Sequence, residues 1–426
     1  MNTGKTLERP STAVVRTVLG NGLTVVLAPD PAADDVALSV SYRVGFRSEP
    51  EDAAGFAHLL EHLMFEGSEN VEPLLHGQRV RALGGAVDAR THQDYTQYFQ
   101  TVPAEYFELL CFLEADRMRA PKFAERGLRR QLAGIAMEIR QARSRPYGGF
   151  PWPGLAPLLY RSFANAHDGY GDAGALTGIT AADCHEFFHH HYAPGNAVLA
   201  VAGNVEPDRA LRQISTWFGG IAARPAPPAP RLAEPALTAD STAVRTDARI
   251  RRPALALGYR LPDPLTPEYF AHLVLARYLK HFLGPALSTS DAVAASDASC
   301  GFFGTFDALA PDTMIVTTVH DPATGHEAVL DTVDSLLAAA ADGLDETRVA
   351  GLRDLVRRDH DHREAAVLTR ARALGRFETL FGAAERYTGL AARLDEIGVD
   401  DVAAAASAIA AQQRAVLRVV PEGRRR

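Results

Sequence analysis

Cysteine is scarce in this sequence of 426 residues. The three that occur, Cys111, Cys184 and Cys300, are widely spaced, and none belongs to a C-x-x-C pair. Isolated cysteines in odd number exclude a disulfide framework and a thiolate zinc site. Reduced, mostly buried thiols of this kind are typical of cytoplasmic proteins.

Long runs of basic or apolar residues are also missing. The net charge is −8, from 52 acidic and 44 basic residues, which argues against nucleic acid as the main partner. No run of about 18 apolar residues offers a membrane span, and the N-terminal residues lack the apolar segment of a secretory signal. We therefore expect a soluble, cytoplasmic protein that binds neither nucleic acid nor membranes.

One short motif contains the residue types of a metal site. Residues 58–62 read His-Leu-Leu-Glu-His. On a helix, His58, Glu61 and His62 would lie on the same side. Two imidazoles one turn apart can bind one zinc ion, and the carboxylate between them can take a proton from water without being a ligand. The motif favours a zinc site, but by itself it leaves open a helix with two ordinary surface histidines.

A zinc site needs a third protein ligand. Four downstream carboxylates could supply it: Glu114, Asp116, Glu125 and Glu138. Glu138 is an attractive candidate because apolar residues flank it within a predicted helix over 127–144. Periodicity alone does not choose among the four. The consecutive histidines 189–191 are a poor alternative, because neighbouring side chains on a helix point about 100° apart.

Apolar periodicity and turn residues predict mixed α and β structure in the first half. Asn21-Gly22 predicts a tight turn between two strands. The predicted strands cover 14–27 (with that turn), 36–44, 86–91, 95–102 and 196–202, and the predicted helices cover 53–65, 74–83, 103–113, 127–144 and 183–191.

The second half of the chain repeats the first. Tyr42-Arg43 recurs at 259–260, Phe56-Ala-His-Leu at 270–273, and the strand at 196–201 recurs at 414–419, with offsets of 217, 214 and 218 residues. Similar offsets indicate a duplicated domain. In the second copy Leu275 and Ala276 replace Glu61 and His62, so we expect His272 to be a structural remnant.

A proline-rich segment separates the two copies. Residues 224–236 contain five prolines, which predicts a stiff, extended linker. We therefore expect an N-terminal domain over 12–223, a linker over 224–236, and a degenerate C-terminal copy over 237–421.

Several further motifs make the chain similar to a known family. They are Asn21-Gly22-Leu, Tyr42-Arg-Val-Gly45, Gly55–Gly67 around the histidine motif, Gly84-Gly85, Thr91-x-x-Asp94-x-Thr96-x-Tyr98 and Ala136-Met-Glu138-Ile. With them the chain resembles the inverzincin zinc peptidases, the family of pitrilysin, insulysin and mitochondrial processing peptidase. The resemblance covers nearly the whole chain, is most specific in the first half, and in length fits the short, two-domain bacterial members.

The resemblance implies an α+β fold of two homologous domains, each a mainly antiparallel sheet with helices packed on one face, together forming half of a clamshell. It implies that His58, His62 and Glu138 bind one zinc ion per chain and that Glu61 is the general base. A peptide substrate would add a strand at the edge formed by Ala86, Val87, Asp88, Ala89 and Arg90, held by main-chain hydrogen bonds.

Three departures from the family pattern bear on activity. Gln131 stands where many relatives carry a second glutamate beside the metal ligands, and Asp88 replaces an asparagine of the edge strand. The Arg and Tyr that orient the substrate carbonyl in active relatives align to about Ser288 and Ala295, and neither residue type occurs between Phe282 and Phe302.

From these departures we predict a zinc metalloendopeptidase that acts as the catalytic subunit of a heterodimer. A homologous sister chain without zinc would supply the Arg/Tyr pair, and a homodimer is the fallback. A non-catalytic structural or assembly subunit of the same fold is the main alternative. A metal-independent peptide-binding module is the third.

Overall fold

The computed structural model describes residues 14–288, 294–364 and 366–422. The first half contains the strands β1 Val15–Val18, β2 Thr24–Pro29, β3 Asp35–Tyr42, β4 Ala86–Thr91, β5 Thr96–Pro103 and β6 Ala197–Gly203. Its helices are α1 Phe56–Leu63, α2 Leu75–Ala82, α3 Phe107–Arg119, α4 Glu125–Ser144, α5 Trp152–Leu159, α6 Phe163–Ala166, α7 Ala181–His191 and α8 Pro207–Phe218.

The second half repeats this order in shorter form. Its strands are β7 Ser241–Asp247, β8 Ala254–Arg260, β9 Ala295–Cys300, β10 Thr313–Val319 and β11 Ala415–Pro421. Its helices are α9 Pro267–Leu287, α10 His326–Ala341, α11 Glu346–Glu364, α12 Val367–Phe381, α13 Leu390–Asp395 and α14 Val399–Ala410.

Each half builds its own sheet, and the two sheets have matching strand orders. The first runs β1-β2-β6-β3-β5-β4 and the second β7-β11-β8-β10-β9. Neighbouring strands are antiparallel except for β2 with β6 and β7 with β11. The predicted turn joins β1 to β2, where Gly22 has a φ of 89°. The expected α+β fold of two duplicated, mainly antiparallel domains is confirmed.

Helices of the same half cover one face of each sheet, and a helix of the other half covers the opposite face. Trp152, Leu155 and Leu159 of α5 pack in one core with Ala256 and Leu417 of the second sheet. Reciprocally, α12 lies on the first sheet. There a Cβ added at Gly375 would come within 3.1 Å of the Ser41 hydroxyl oxygen and 3.3 Å of the Ala200 side chain, so glycine favours this close approach.

A buried ion pair also joins the two halves. Arg47, in the loop before α1, contacts Asp94 at 3.0 Å. The same guanidinium donates hydrogen bonds to the carbonyl oxygens of Leu309 and Pro311, at 3.1 and 2.6 Å. The Leu309 N–H donates to Asp94 at 2.7 Å. The loop that leads into α1 is therefore fixed against the second half.

The domain boundaries stay a prediction. Residue 12 lies outside the described residues, and the predicted linker at 224–236 falls in a stretch without helix or strand. Within the described part of the chain, no helix combines the length and apolar character needed to cross a bilayer.

Candidate active site

Helix α1 presents the histidine motif because its other side is apolar. Leu59, Leu60 and Leu63 are fully buried in the core of the first half. His58, Glu61 and His62 therefore occupy the opposite side, toward solvent. The helix begins after Gly55, whose φ of 97° suits glycine, and a Cβ there would stand 3.0 Å from the Tyr170 carbonyl oxygen.

A buried carboxylate fixes the start of α1. Glu49 accepts hydrogen bonds from the N–H groups of Gly55 and Ala57, at 2.7 and 2.8 Å. Its Oε2 lies 3.3 Å from Nε2 of His167. These bonds satisfy two N–H groups that a helix start leaves without partners, and a carboxylate is favourable at that end of the helix dipole.

The three expected metal ligands converge on one point. His58 Nε2 and His62 Nε2 lie 3.2 Å apart, and Glu138 Oε2 lies 3.7 and 3.9 Å from them. Tetrahedral zinc with bonds of about 2.0–2.1 Å places its ligand atoms roughly 3.3 Å apart. Burial, followed by the nearby His62, lowers the pKa of His58 to about 4, which keeps its imidazole neutral as a metal ligand must be.

The other carboxylates considered for the third ligand have different surroundings. Glu114 is buried against Arg117 and Gln100, and Asp116 accepts hydrogen bonds from Ser68 and Asn70. Of all the histidine, cysteine and acidic side chains in the described ranges, only His58, His62 and Glu138 form a group with metal-binding spacing. The residues thus fit a zinc ion by donor type and by distance.

Gln131 lies two turns before Glu138 on α4 and contacts the side of the His62 ring that faces away from the cluster. Its Oε1 lies 3.2 Å from His62 Nδ1, so the Nδ1–H form of His62 donates to it and leaves Nε2 for the metal. The amide nitrogen of Gln131 donates in turn to Glu66, which Arg130 also contacts. Position 131 has no carboxylate, but Glu66 supplies one that reaches His62 through Gln131. The sequence did not indicate Glu66.

Glu61 is linked to the edge strand of the first sheet. The Thr91 hydroxyl donates to Glu61 Oε2 at 2.6 Å, and Thr91 is the last residue of β4. Burial raises the pKa of Glu61, while the bond from Thr91 acts in the opposite direction. Strand β4 pairs only with β5 among the described strands, so its outer edge is open along residues 86–91.

A cleft of about 170 Å³ joins Glu61 and His58 to the end of β4. It is lined by Phe46, His58, Glu61, Ala89, Arg90, Thr91, Asp168, Gly169, Tyr170 and Phe303. Tyr170 and Phe303, neither of which the sequence analysis selected, are about half exposed. Phe303 belongs to the second half, so both halves form this cleft.

The second copy contains no equivalent cluster among the described residues. His272 is buried, and its Nδ1 lies 2.7 Å from the Glu268 carbonyl oxygen, as in a structural histidine. Ser288 donates to the Gly284 carbonyl oxygen, and Ala295 begins β9. Residues 289–293, within the stretch aligned to the Arg/Tyr pair, lie outside the described residues.

Family models match both halves of the chain. The model for insulinase (peptidase family M16) matches residues 24–148, and the model for the peptidase M16 inactive domain matches residues 178–354. The zinc protease PqqE of Helicobacter pylori is 27% identical over 61% of this chain and 60% of its own length. The uncharacterized zinc protease YmxG of Bacillus subtilis is 26% identical over 48% of this chain. The chain spans about half the length, 49%, of YmxG.

Solved structures share the fold over nearly the whole chain. A protease from Helicobacter pylori superimposes with a TM-score of 0.84 at 20% identity, covering 96% of this chain and all of its own. A peptidase M16 inactive domain from Pseudomonas fluorescens gives 0.82 at 18% identity, covering 96% of this chain and 98% of its own. Matched by family models in both halves and by zinc proteases in sequence, this chain belongs to peptidase family M16, the insulinase family.

Proposed function

We propose that this chain is a zinc-dependent metalloendopeptidase and the catalytic subunit of a heterodimer. The observation that carries the proposal is the convergence of His58, His62 and Glu138 beside Glu61, at the end of an open strand edge. His58, His62 and Glu138 would hold one zinc ion, which would supply Lewis acidity toward a peptide carbonyl and a water molecule. Zinc protease relatives support the choice of metal.

The chain's own residues would position the peptide and move the proton. The substrate would pair with β4 along residues 86–90, where the main-chain groups of the outer edge are open. Thr91, the next residue, holds Glu61 at 2.6 Å. Glu61 would take a proton from the attacking water and pass it to the leaving amine.

A sister chain would complete the site. The second half of this chain has no arginine or tyrosine between residues 282 and 302 to orient the substrate carbonyl. A partner of the same fold, closing over the cleft, would provide both. We place the pair in the cytoplasm, a proposal supported by three buried, unpaired cysteines.

Zinc content and peptide cleavage test the proposal together. The purified chain should contain about one zinc ion and lose it in His62→Ala. A quenched fluorescent peptide should be cut only after the sister chain is added. Glu61→Gln should keep the metal and slow cleavage by at least about 100-fold. Full activity of the chain alone would contradict the heterodimer but not the peptidase.

A non-catalytic structural or assembly subunit is the second candidate. The absent Arg/Tyr pair and the neutral Gln131 favour it. The same experiment separates the two functions, because a wild-type chain without zinc would support the structural subunit and exclude the peptidase.

A further inference from the structure

A second cavity lies on the other face of the edge strands. It measures about 540 Å³ and is enclosed by α9, β9, α11 and α12 of the second half, with Gln97 of β5 in its wall. Arg90 of β4 is paired with Gln97, and directly paired residues of antiparallel strands point to the same face. The Arg90 side chain therefore leaves the sheet on the same face as Gln97, although Arg90 is not itself a wall residue of the cavity and also borders the cleft, together with Ala89 and Thr91.

Arg372 of α12 is held rigidly in the cavity wall. Its Nε donates to Gln97 Oε1 at 3.1 Å, and Gln97 Nε2 donates back to the Arg372 carbonyl oxygen at 2.9 Å. The guanidinium lies 3.9 Å above the ring of Phe99, the residue of β5 paired with Asp88. These contacts leave both terminal nitrogens of Arg372 without a protein hydrogen bond among the described residues, so they can serve a ligand.

The other cations of this cavity already have carboxylate partners. The pairs are Arg277 with Asp359, Lys280 with Asp297 and Arg376 with Asp307. Arg372 has no carboxylate partner within the described ranges. Burial lowers the pKa of Arg372, and Arg90 and Arg376 act in the same direction, whereas Tyr95 and Asp307 act in the opposite one. Arg90 of the edge strand has an exposed partner in Asp88, 4.0 Å away. Arg372 is therefore the cation of this site whose positive charge an anion would neutralise.

We propose that Arg372, together with Arg90, forms a subsite for an aspartate or glutamate side chain of the bound peptide. This inference rests on the proposed function, since it takes the substrate as a strand paired with β4. Side chains of a strand alternate between faces. A peptide on this edge would direct every second side chain to the cavity, while the residues between them face the zinc cluster. The chain would thus prefer acidic residues at alternate positions around the cut.

Binding to an inactive variant tests the subsite apart from catalysis. In zinc-loaded Glu61→Gln, with the sister chain present, a fluorescent peptide carrying one glutamate is compared with the same peptide carrying glutamine. Moving the glutamate along the peptide should give tighter binding at every second position, by about tenfold over glutamine. Equal affinities at all positions would overturn the subsite.

Substitutions then assign the preference to the named residues. Arg372→Met, added to Glu61→Gln, should bring the Glu/Gln ratio close to one, and Arg372→Lys should keep part of it. Arg90 is exposed, so Arg90→Met does not disturb the core. This variant should also lower the Glu/Gln affinity ratio. Arg129→Met, an exposed arginine on α4, is the matched control and should not change it. A ratio that persists in both Arg372→Met and Arg90→Met contradicts the assignment.

The two proposals fail in different ways. Binding of all peptides with no charge preference removes the subsite and leaves the peptidase intact. If no peptide binds and the wild-type chain with its sister cuts none, both proposals are overturned.

Discussion

The imidazole of His62 depends on a side chain that cannot itself bind the metal. Gln131 accepts a hydrogen bond from His62 Nδ1 and is held in turn by Glu66. Partners of this kind fix the orientation and tautomer of a ligand histidine. We therefore propose that the neutral amide at position 131 orients His62, while the negative charge lies at Glu66.

Replacing Gln131 by alanine should weaken zinc binding by about 10- to 100-fold, because His62 loses the bond that fixes its ring. Competition with a chelator of known affinity measures this change. Gln141→Ala, an exposed glutamine on the same helix, is the control and should bind zinc as the wild type does. Equal zinc affinity of the two variants would show that Gln131 has no orienting role.

The sequence predicted the parts of the site that are close together along the chain. Helix geometry places His58, Glu61 and His62 on one side, and the resemblance to a family assigns their roles. Glu138 required the resemblance to a family, because periodicity left four carboxylates open. Glu66 and Tyr170 were missed, since each gains its role from contacts with residues distant in sequence.

The start of α1 depends on Glu49, a residue of the preceding loop. Glu49→Gln keeps the size of the side chain but removes its charge and leaves an amide group facing the helix N–H groups. We expect a loss of about 1–2 kcal/mol in the free energy of unfolding, together with weaker zinc binding, because α1 carries two ligands. Urea denaturation of the metal-free chain measures the first effect. Glu51→Gln, exposed in the same loop, should leave stability unchanged.

The pair formed by Glu49 and His167 makes the stability of this region depend on pH. Burial is the largest single influence on the pKa of His167 and lowers it. The hydrogen bond and charge of Glu49, the Phe163 carbonyl oxygen and Asp168 together outweigh burial, so the pKa of His167 is raised above its ordinary 6.5. Protonated His167 thus stabilises the fold fully below pH 6.5, and this contribution is lost as the pH rises through the raised pKa. In the wild type, the urea concentration at the midpoint of unfolding should fall as the pH rises from about 6 to 8, and in His167→Gln this fall should be smaller. An unchanged slope would contradict this role.

At the level of elements, most strands and helices predicted in the first half lie within three residues of their observed bounds, but the helix predicted over 103–113 is observed at 107–119. The helices of the second half were not predicted individually. Strand β4 was predicted at its observed limits, 86–91. Helices α5, α6 and α8 of the first half were missed. Pro153 and Pro157 make α5 look like a turn, and it forms a helix because it is buried against the second sheet. Helix α8 begins at a sequence signal for a helix start, because Glu206 caps it and Pro207 is its first residue.

At the level of the molecule, α5 and α12 make the two halves depend on each other. A protease site inserted between Pro228 and Ala229, both exposed, should allow the linker to be cut without separating the halves. The two fragments should elute together in native gel filtration and separate only in denaturant. Each half expressed alone should aggregate, because a sheet face loses its covering helix. Separation of folded fragments under native conditions would contradict this dependence.

The exchange of α5 and α12 also bears on how the chain arose. The two helices occupy equivalent places in the repeat, and each crosses to the other copy. Two identical chains that trade one helix form a domain-swapped dimer. Joining the ends of two such chains would keep the exchanged helices in place and would let one copy diverge beside the other. The two copies differ in this way at the histidine motif, where Leu275 and Ala276 of the second copy stand in place of Glu61 and His62.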